Sequence, residues 1–308
     1  MKKILSMLLV LCMALTLCSA AFAEGKSPVD GMTVAFIPKV SGNSFFEAAN
    51  DGAQKYAKEW GLTVDYIGAP TADVTTQLEL IQQAIDKGVD AICISSVDAT
   101  GLDEKLQEAQ DAGIYVSTWD SDVSPNARAL MVSQGTADVL GPMLVEMAVD
   151  SLKERGVDVN GEVKYVWHFS NPSVSDQNSW YVAGDAYIKE KYPTWVAVHD
   201  PYYSNQDPAQ SVSVGESILD AYADVDAIIC NDSTALPGQL QAAENKGLTK
   251  DDVTITGFAT PNAVKQYCSN GTIYNWGLWD CGIQGAMGCY VAAYLAAGNN
   301  VKVGDVIS

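Results

Sequence analysis

Histidine is nearly missing: the chain of 308 residues has 2. Multi-His metal sites and His-driven proton transfer therefore have little material to work with. Basic residues are scarce as well, 18 Lys plus Arg against 38 Asp plus Glu, for a formal net charge of −20. Nucleic-acid and anionic-membrane binders need a positive field to release counterions, so both classes are excluded. No GxSxG elbow, HExxH, GxxxxGK[ST] or GxGxxG is present, which removes the commonest hydrolase, metalloprotease and nucleotide-binding signatures. Charged residues, at 18%, are too few for a disordered polyelectrolyte, whereas 48% hydrophobic residues supply a large core. The composition is that of a soluble, acidic, well-packed protein.

No long membrane-spanning run is present either. The apolar stretch from Ile4 to Leu17 has 14 residues, short of a bilayer span. With Lys2 and Lys3 before it and Ala21-Phe22-Ala23 after it, residues 1–23 read as a secretory signal cleaved before Glu24. Leu15-Thr16-Leu17-Cys18 partly resembles a lipidation site, but Leu17 stands where a small residue belongs. Losing Lys2 and Lys3 and no acid takes the charge from −20 to −22. Of seven cysteines, Cys93, Cys230, Cys268, Cys281 and Cys289 remain, an odd number at irregular spacing and no disulfide framework.

What is present is strict alternation. Strands are expected at Thr33–Lys39, Thr63–Ala69, Asp90–Ser95, Tyr115–Asp120, Lys164–Ser170, Val196–Asp200, Ala227–Asn231, Thr254–Phe258 and Tyr274–Trp279. Helices are expected at Phe45–Trp60, Thr75–Lys87, Leu102–Ala112, Ala137–Arg155, Asn178–Tyr192, Pro208–Tyr222, Thr234–Lys246, Pro261–Ser269 and Ile283–Ala297. Ala91-Ile92-Cys93-Ile94 and Ala227-Ile228-Ile229-Cys230 are apolar throughout, as parallel strands buried on both faces must be. Gly61, Gly88, Gly113, Gly247, Gly271 and Gly298 fall where helices should stop. This is an α/β pattern with parallel sheets, too long for one doubly wound sheet, and it breaks near Ser133-Gln134-Gly135 into two Rossmann-like lobes.

Ligands of open α/β sheets bind beyond the carboxyl ends of the strands. Those ends carry Lys39 and the following Phe45 and Phe46, then Trp119-Asp120-Ser121-Asp122, Ser175-Asp176-Gln177-Asn178, Asn231-Asp232-Ser233 and Trp279-Asp280. Carboxylates accept hydroxyl hydrogen bonds, Lys and Gln donate, and rings cover apolar faces, a mixture suited to a small neutral polyhydroxyl ligand. Each residue also has a plainer role. Asp120 and Asp122 could cap a turn, Lys39 could be a solvated cation, and Asp176-Gln177-Asn178 could be an ordinary helix start. Phe45, Phe46, Trp119 and Trp279 could be packing residues. A glycosidase pair formed by Asp120 and Asp176 stays open on motif grounds.

The segments Phe36-Ile37-Pro38-Lys39, Thr118-Trp119-Asp120-Ser121-Asp122, Pro172 to Asn178, Ala235-Leu236-Pro237, Gly257 to Asn262 and Gly277-Leu278-Trp279-Asp280 give the chain a resemblance. From Val34 to Gly304 it resembles the type I periplasmic solute-binding proteins of ABC importers, the ribose-binding-like group. Within that group it is most similar to the autoinducer-2 receptor branch, close to the rhamnose-binding proteins. The resemblance implies two α/β lobes joined by three crossovers, residues 31–133 plus 280–308 forming the N-terminal lobe and 134–279 the C-terminal lobe. It implies a further C-terminal segment beyond the helix at Ile283–Ala297, which is not found before Ser308. Lys39, Asp120, Asp176 and Gln177 fall on positions that contact autoinducer-2 in the branch, a boron-free cyclic tetrahydroxy furanoid. Asn231 and Ser233 fall on two more, where the branch typically has Pro and Ala. Ser121 and Ala259 stand where ribose-type members tend to have Arg and Asp, against a simple pyranose.

The expectation is therefore a non-enzymatic, monomeric, exported protein, periplasmic or at the cell surface. It would hold autoinducer-2 between two lobes with Lys39, Asp120, Asp176, Gln177, Asn231, Ser233, Phe45 and Trp279. It would need no cofactor or metal and would pass the ligand to an ABC permease or, as a receptor, to a chemosensor. Rhamnose or another sugar is the alternative ligand, and a carboxylate-dependent glycosidase the enzymatic one.

Overall fold

The structure, a computed structural model, describes residues 26–302 and residue 305. The signal sequence expected at residues 1–23 lies outside the described residues. Two five-stranded sheets, all of whose pairings are parallel, form two lobes. The first holds β1 (Thr33–Ile37), β2 (Thr63–Tyr66), β3 (Ala91–Ile94), β4 (Tyr115–Trp119) and β5 (Leu130–Val132), in the order β2-β1-β3-β4-β5. The second holds β6 (Lys164–Phe169), β7 (Val196–Ala197), β8 (Tyr202–Tyr203), β9 (Ala227–Cys230) and β10 (Thr254–Gly257), in the order β10-β9-β6-β7, with β8 also on β6. Parallel neighbours need a return path, and the helices supply it: α1 (Ser44–Trp60), α2 (Val74–Lys87) and α3 (Asp103–Asp111) on the first sheet, then α4 (Ala137–Glu154), α5 (Ser175–Lys191), α6 (Pro208–Ala221), α7 (Ala235–Asn245) and α8 (Pro261–Ser269) on the second. The last helix, α9 (Cys281–Ala296), returns to pack on α1 and the first sheet.

Local chemistry sets these boundaries. Asn43 and Asp73 cap α1 and α2 by accepting from Phe45 N and Thr76 N at 2.9 and 2.8 Å. Gly61 and Gly88 end them in the left-handed conformation that glycine adopts without strain. The apolar strands β3 and β9 are buried at every position. Phe36 and Trp119 are fully buried, and rings of that size each contribute about 2 kcal/mol or more on burial. The α1–α9 contact depends on glycine: a Cβ at Gly285 would lie 2.2 Å from the Ala49 carbonyl, and one at Gly52 would lie 2.3 Å from Gly282 Cα. The spacing Gly282, Gly285, Gly288 is thus a packing device that seats the returning helix.

Three departures from the expected elements matter. Tyr274–Trp279 is not a strand; it is held to β10 by a bridge between Gly277 and Phe258 and by Thr256 Oγ1 donating to the Asn275 carbonyl at 2.7 Å, and Leu278 and Trp279 then pack against the cores of both lobes. Helix α5 begins at Ser175, three residues before the expected Asn178, which puts Asp176 and Gln177 in its first turn. Strands β5 and β8, three and two residues long, carry no period that a sequence could display. Among the described residues the chain passes between lobes twice, near Ser133–Thr136 and near Leu278–Asp280.

Candidate functional site

The carboxyl ends of the two sheets face each other. Lys39 follows β1, and Asp120 follows β4 with φ 60, a left-handed conformation that Asp tolerates better than most residues. Asp176 and Gln177 come from the opposite lobe on the first turn of α5, and Asn231, Asp232 and Ser233 follow β9. Phe45 opens α1, and Trp279 lies on the second crossover. All eight residues proposed from the sequence line one cavity, together with Phe46, Trp180, Gln206, Asp232, Phe258 and Leu278. In this closed arrangement the free space inside it is about 20 Å³, room for roughly one water, because Lys39 reaches across to both carboxylates; a ligand of monosaccharide size must part these groups or open the lobes to enter.

The lobes are closed on each other around it. Asn43 donates to Thr234 at 2.9 Å, Ser44 and Thr260 share a hydroxyl bond of 2.7 Å, and Ala99 N donates to Ser173 O at 3.0 Å. Asp122 N donates to the Ser175 hydroxyl at 2.9 Å. At the centre, Lys39 Nζ lies 2.9 Å from Asp120 Oδ2 and 3.2 Å from each Asp176 oxygen. Lys39 is thereby a bridge between lobes, with both its partners buried. Burial works against its charge, but the two carboxylates, Asp120 first, outweigh burial and hold the ammonium above its ordinary value. Asp120 is pushed up to about 6, chiefly by burial, with Lys39 opposing and Asp176 adding. Ser95 donates to its Oδ2 at 2.7 Å, and Ser121 donates to Asp176.

Gln177 is held at both ends of its carboxamide. Its Oε1 accepts from Ser170 N at 3.1 Å and its Nε2 donates to Asp232 Oδ2 at 2.9 Å. Asp232 also accepts from Thr234 N and Ala235 N, at 2.6 and 2.8 Å, at the start of α7. Asn231 donates to the Gln177 carbonyl at 2.8 Å, which leaves its own buried Oδ1 unpartnered, as is the buried Oε1 of Gln206. Unpaired buried acceptors are costly, so these are places where a hydroxyl donor is favoured. Trp279 meets Phe45, Trp180 and Phe258 at ring separations of 5.7, 5.8 and 5.4 Å, an aromatic wall built from both lobes.

With three carboxylates around one ammonium, the site disfavours an anionic solute and favours neutral hydroxyl donors. The glycosidase alternative fails on the same geometry: Asp120 and Asp176 do face each other, but Lys39 lies between and bonds both. His168 is buried away from the cavity, bonded through Nδ1 to Gln239, and burial pushes it down to about 4. His199 is likewise outside the cavity, bonded to the Asp200 carbonyl. Trp119 is core, stacked on Phe45 at 6.0 Å, and Asp122 is engaged by Arg128 through two bonds of 2.9 and 2.6 Å. Gln206 and Trp180 had no strand-end position to mark them. Gln206 sits with Asn205 in a left-handed turn just past the two-residue strand β8.

A profile described as periplasmic binding protein domain matches residues 34–300. The chain belongs to the periplasmic binding protein family. Members of the family bind solutes outside the cytoplasm without turning them over, and this chain is not an enzyme. Among solved structures it is similar to LsrB from Clostridium saccharobutylicum in complex with AI-2, at 62% identity and a TM-score of 0.89, over 90% of this chain and 85% of that one. It shares its fold with an ABC transporter solute-binding protein from Clostridium phytofermentas with bound L-rhamnose, at 23% identity and a TM-score of 0.80, over 87% and 82% of the two chains. The D-ribose/D-allose-binding protein of Pseudomonas aeruginosa is 24% identical, over 89% of this chain and 86% of that protein.

Proposed function

We propose that this chain captures autoinducer-2 between its two lobes and delivers it to an ABC permease. The observation that carries the reading is the buried cluster of Lys39, Asp120, Asp176 and Gln177, drawn from both lobes and meeting where the two sheets face each other. The 62% identical LsrB complex with AI-2 supports the ligand. In this reading Asp120 and Asp176 accept ligand hydroxyls, while Lys39 and the remaining Gln177 N–H donate. Asn231 Oδ1 and Gln206 Oε1 take two further hydroxyls, and Ser233, whose hydroxyl donates to Asn43 at 3.3 Å, borders the ligand where the lobes meet. Phe45 and Trp279 cover its less polar faces.

Ligand binding then stabilises the closed arrangement because Lys39 and Asp120 belong to one lobe and Asp176 and Gln177 to the other. Closure is a population shift driven by contacts that exist only when both sets are in reach. The protein works as a monomer, exported by the leader at residues 1–23. Trp180 and Trp279 line the cavity, so intrinsic fluorescence reports occupancy. Saturable quenching or enhancement with autoinducer-2, and none with rhamnose or ribose, is expected. Saturation by rhamnose with no response to autoinducer-2 would reassign the ligand to a deoxysugar.

A further inference from the structure

One polar chain leads out of the cavity into the hinge. Trp279 Nε1 donates to Gln284 Oε1 at 2.6 Å, Gln284 Nε2 donates to Gln134 Oε1 at 2.8 Å, and Gln134 Nε2 donates to Asp120 Oδ1 at 3.3 Å. Its direction is forced. An indole N–H only donates, so Gln284 must turn its carbonyl to Trp279 and its amine to Gln134. Gln134 must then turn its carbonyl to Gln284 and its amine to Asp120. An ionised carboxylate only accepts, so the two ends of the chain demand the same orientation of both carboxamides. A proton on Asp120 Oδ1 would instead set a donor against a donor.

The segments involved are the ones that must twist when the lobes part. Gln134 lies on the first crossover, Trp279 on the second, and Gln284 in the first turn of α9 just after it. Gln284 is buried and Gln134 half-buried, and neither lines the cavity. We propose that Gln134 and Gln284 are positioning residues that, together with Trp279, hold the Asp120 carboxylate for its ligand and tie its state to both crossovers. The proposal rests on the reading of Asp120 as a ligand-hydroxyl acceptor. Three donors already reach Asp120: Lys39 and Ser95 on Oδ2, and Gln134 on Oδ1. A carboxylate offers about four acceptor sites, so the relay fills one and leaves room for a ligand hydroxyl.

Other ionisable groups near Asp120 are accounted for. Lys39 faces it from the end of β1 and Asp176 from α5. Cys281, on α9, is pushed up to about 12 by burial and stays neutral. Asp280 caps α9 through Ile283 N at 2.9 Å, and Asp122 is paired with Arg128.

The test uses the ¹⁵N-labelled full chain without ligand. The Trp279 indole resonance, assigned by its loss in Trp279→Phe, should titrate with a midpoint near 6, following Asp120 through the relay. In Gln134→Met and in Gln284→Met that titration should vanish from the indole. A wild-type indole that is silent across this range, or one that still titrates in both variants, would overturn the proposal. The wild-type experiment decides even if a variant does not fold. With autoinducer-2, Gln284→Met should weaken binding about tenfold, roughly the worth of one hydrogen bond to a charged group, yet change it little in a Gln134→Met background. Additive losses would mean that the two residues act independently and would contradict the relay. If the wild type does not bind autoinducer-2, the functional reading fails while the ligand-free titration still decides the relay.

Discussion

Replacing Lys39 by Met separates its electrostatic role from its packing role. The long unbranched stem is kept, and the buried ammonium that neutralises Asp120 and Asp176 is lost. Removing one partner of a buried ion pair costs about 3–5 kcal/mol, because the remaining charge has neither water nor a partner. Here the cost has a ceiling, since Asp120 can take up a proton. Its folded pKa is about 6 against an ordinary 3.8, so the wild type already bears about 3 kcal/mol of strain at neutral pH. Keeping the same carboxyl protonated at about pH 7.5 would cost about 5 kcal/mol relative to the unfolded chain. The Asp120 route therefore adds about 2 kcal/mol, and the loss of the Asp176 pair raises the expected total to about 2–4 kcal/mol. The sign follows from linkage: an acid whose folded pKa is raised is penalised above its unfolded value, and Lys39→Met raises it further. The deficit should thus grow from about pH 5 to about pH 8. Urea unfolding of the ligand-free protein across that range measures it, and Lys39→Met/Asp120→Asn should recover much of the loss. A deficit that is absent, or that does not depend on pH, would refute the charge argument.

Further outcomes follow from the same geometry. Ligand hydroxyls stabilise ionised Asp120, so affinity should fall about tenfold per pH unit below about 6, with proton release on binding seen by calorimetry in buffers of different ionisation enthalpy. A flat profile would place Asp120 outside the ligand contacts. Asp120→Asn should weaken binding by about 2 kcal/mol or more at neutral pH, because a charge-assisted acceptor becomes half a donor, and titration calorimetry would show unchanged affinity if the assignment is wrong. Gln206→Ala should lower affinity about tenfold while leaving the urea midpoint nearly unchanged, since its Oε1 has no partner within the protein. Gly285→Ala should destabilise by about 1–3 kcal/mol, because its Cβ would collide with the Ala49 carbonyl of α1 rather than with a movable side chain; an unaltered midpoint would show that α9 can shift freely.

Much of this architecture is legible before any coordinates. The apolar runs of β3 and β9 and the glycines ending the helices announce parallel strands with returning helices, and each of those six glycines has positive φ. The strand-end rule leads to the segments around Lys39, Asp120, Asp176 and Asn231, and the family resemblance singles out Lys39, Asp120, Asp176, Gln177, Asn231 and Ser233 within them, which the structure gathers around one cavity with Phe45 and Trp279. Their contact with ligand is what the variants test. What stays hidden is set by tertiary position. Gln206 depends on a left-handed turn after a strand of two residues. Trp180 faces the cavity from the interior of α5, where helix periodicity alone reads it as core. Gln134 and Gln284 are 150 positions apart and acquire meaning only because both crossovers pass the same point. The segment Tyr274–Trp279 shows the reverse error, a β-rich composition used for crossing between lobes.

The central claim is that the cavity binds autoinducer-2 through Lys39, Asp120, Asp176 and Gln177. Titration calorimetry of the exported form against autoinducer-2, rhamnose and ribose tests it most directly. A saturable single-site heat with autoinducer-2 and none with the two sugars is predicted. No heat with autoinducer-2 alongside saturable binding of rhamnose would contradict the assignment.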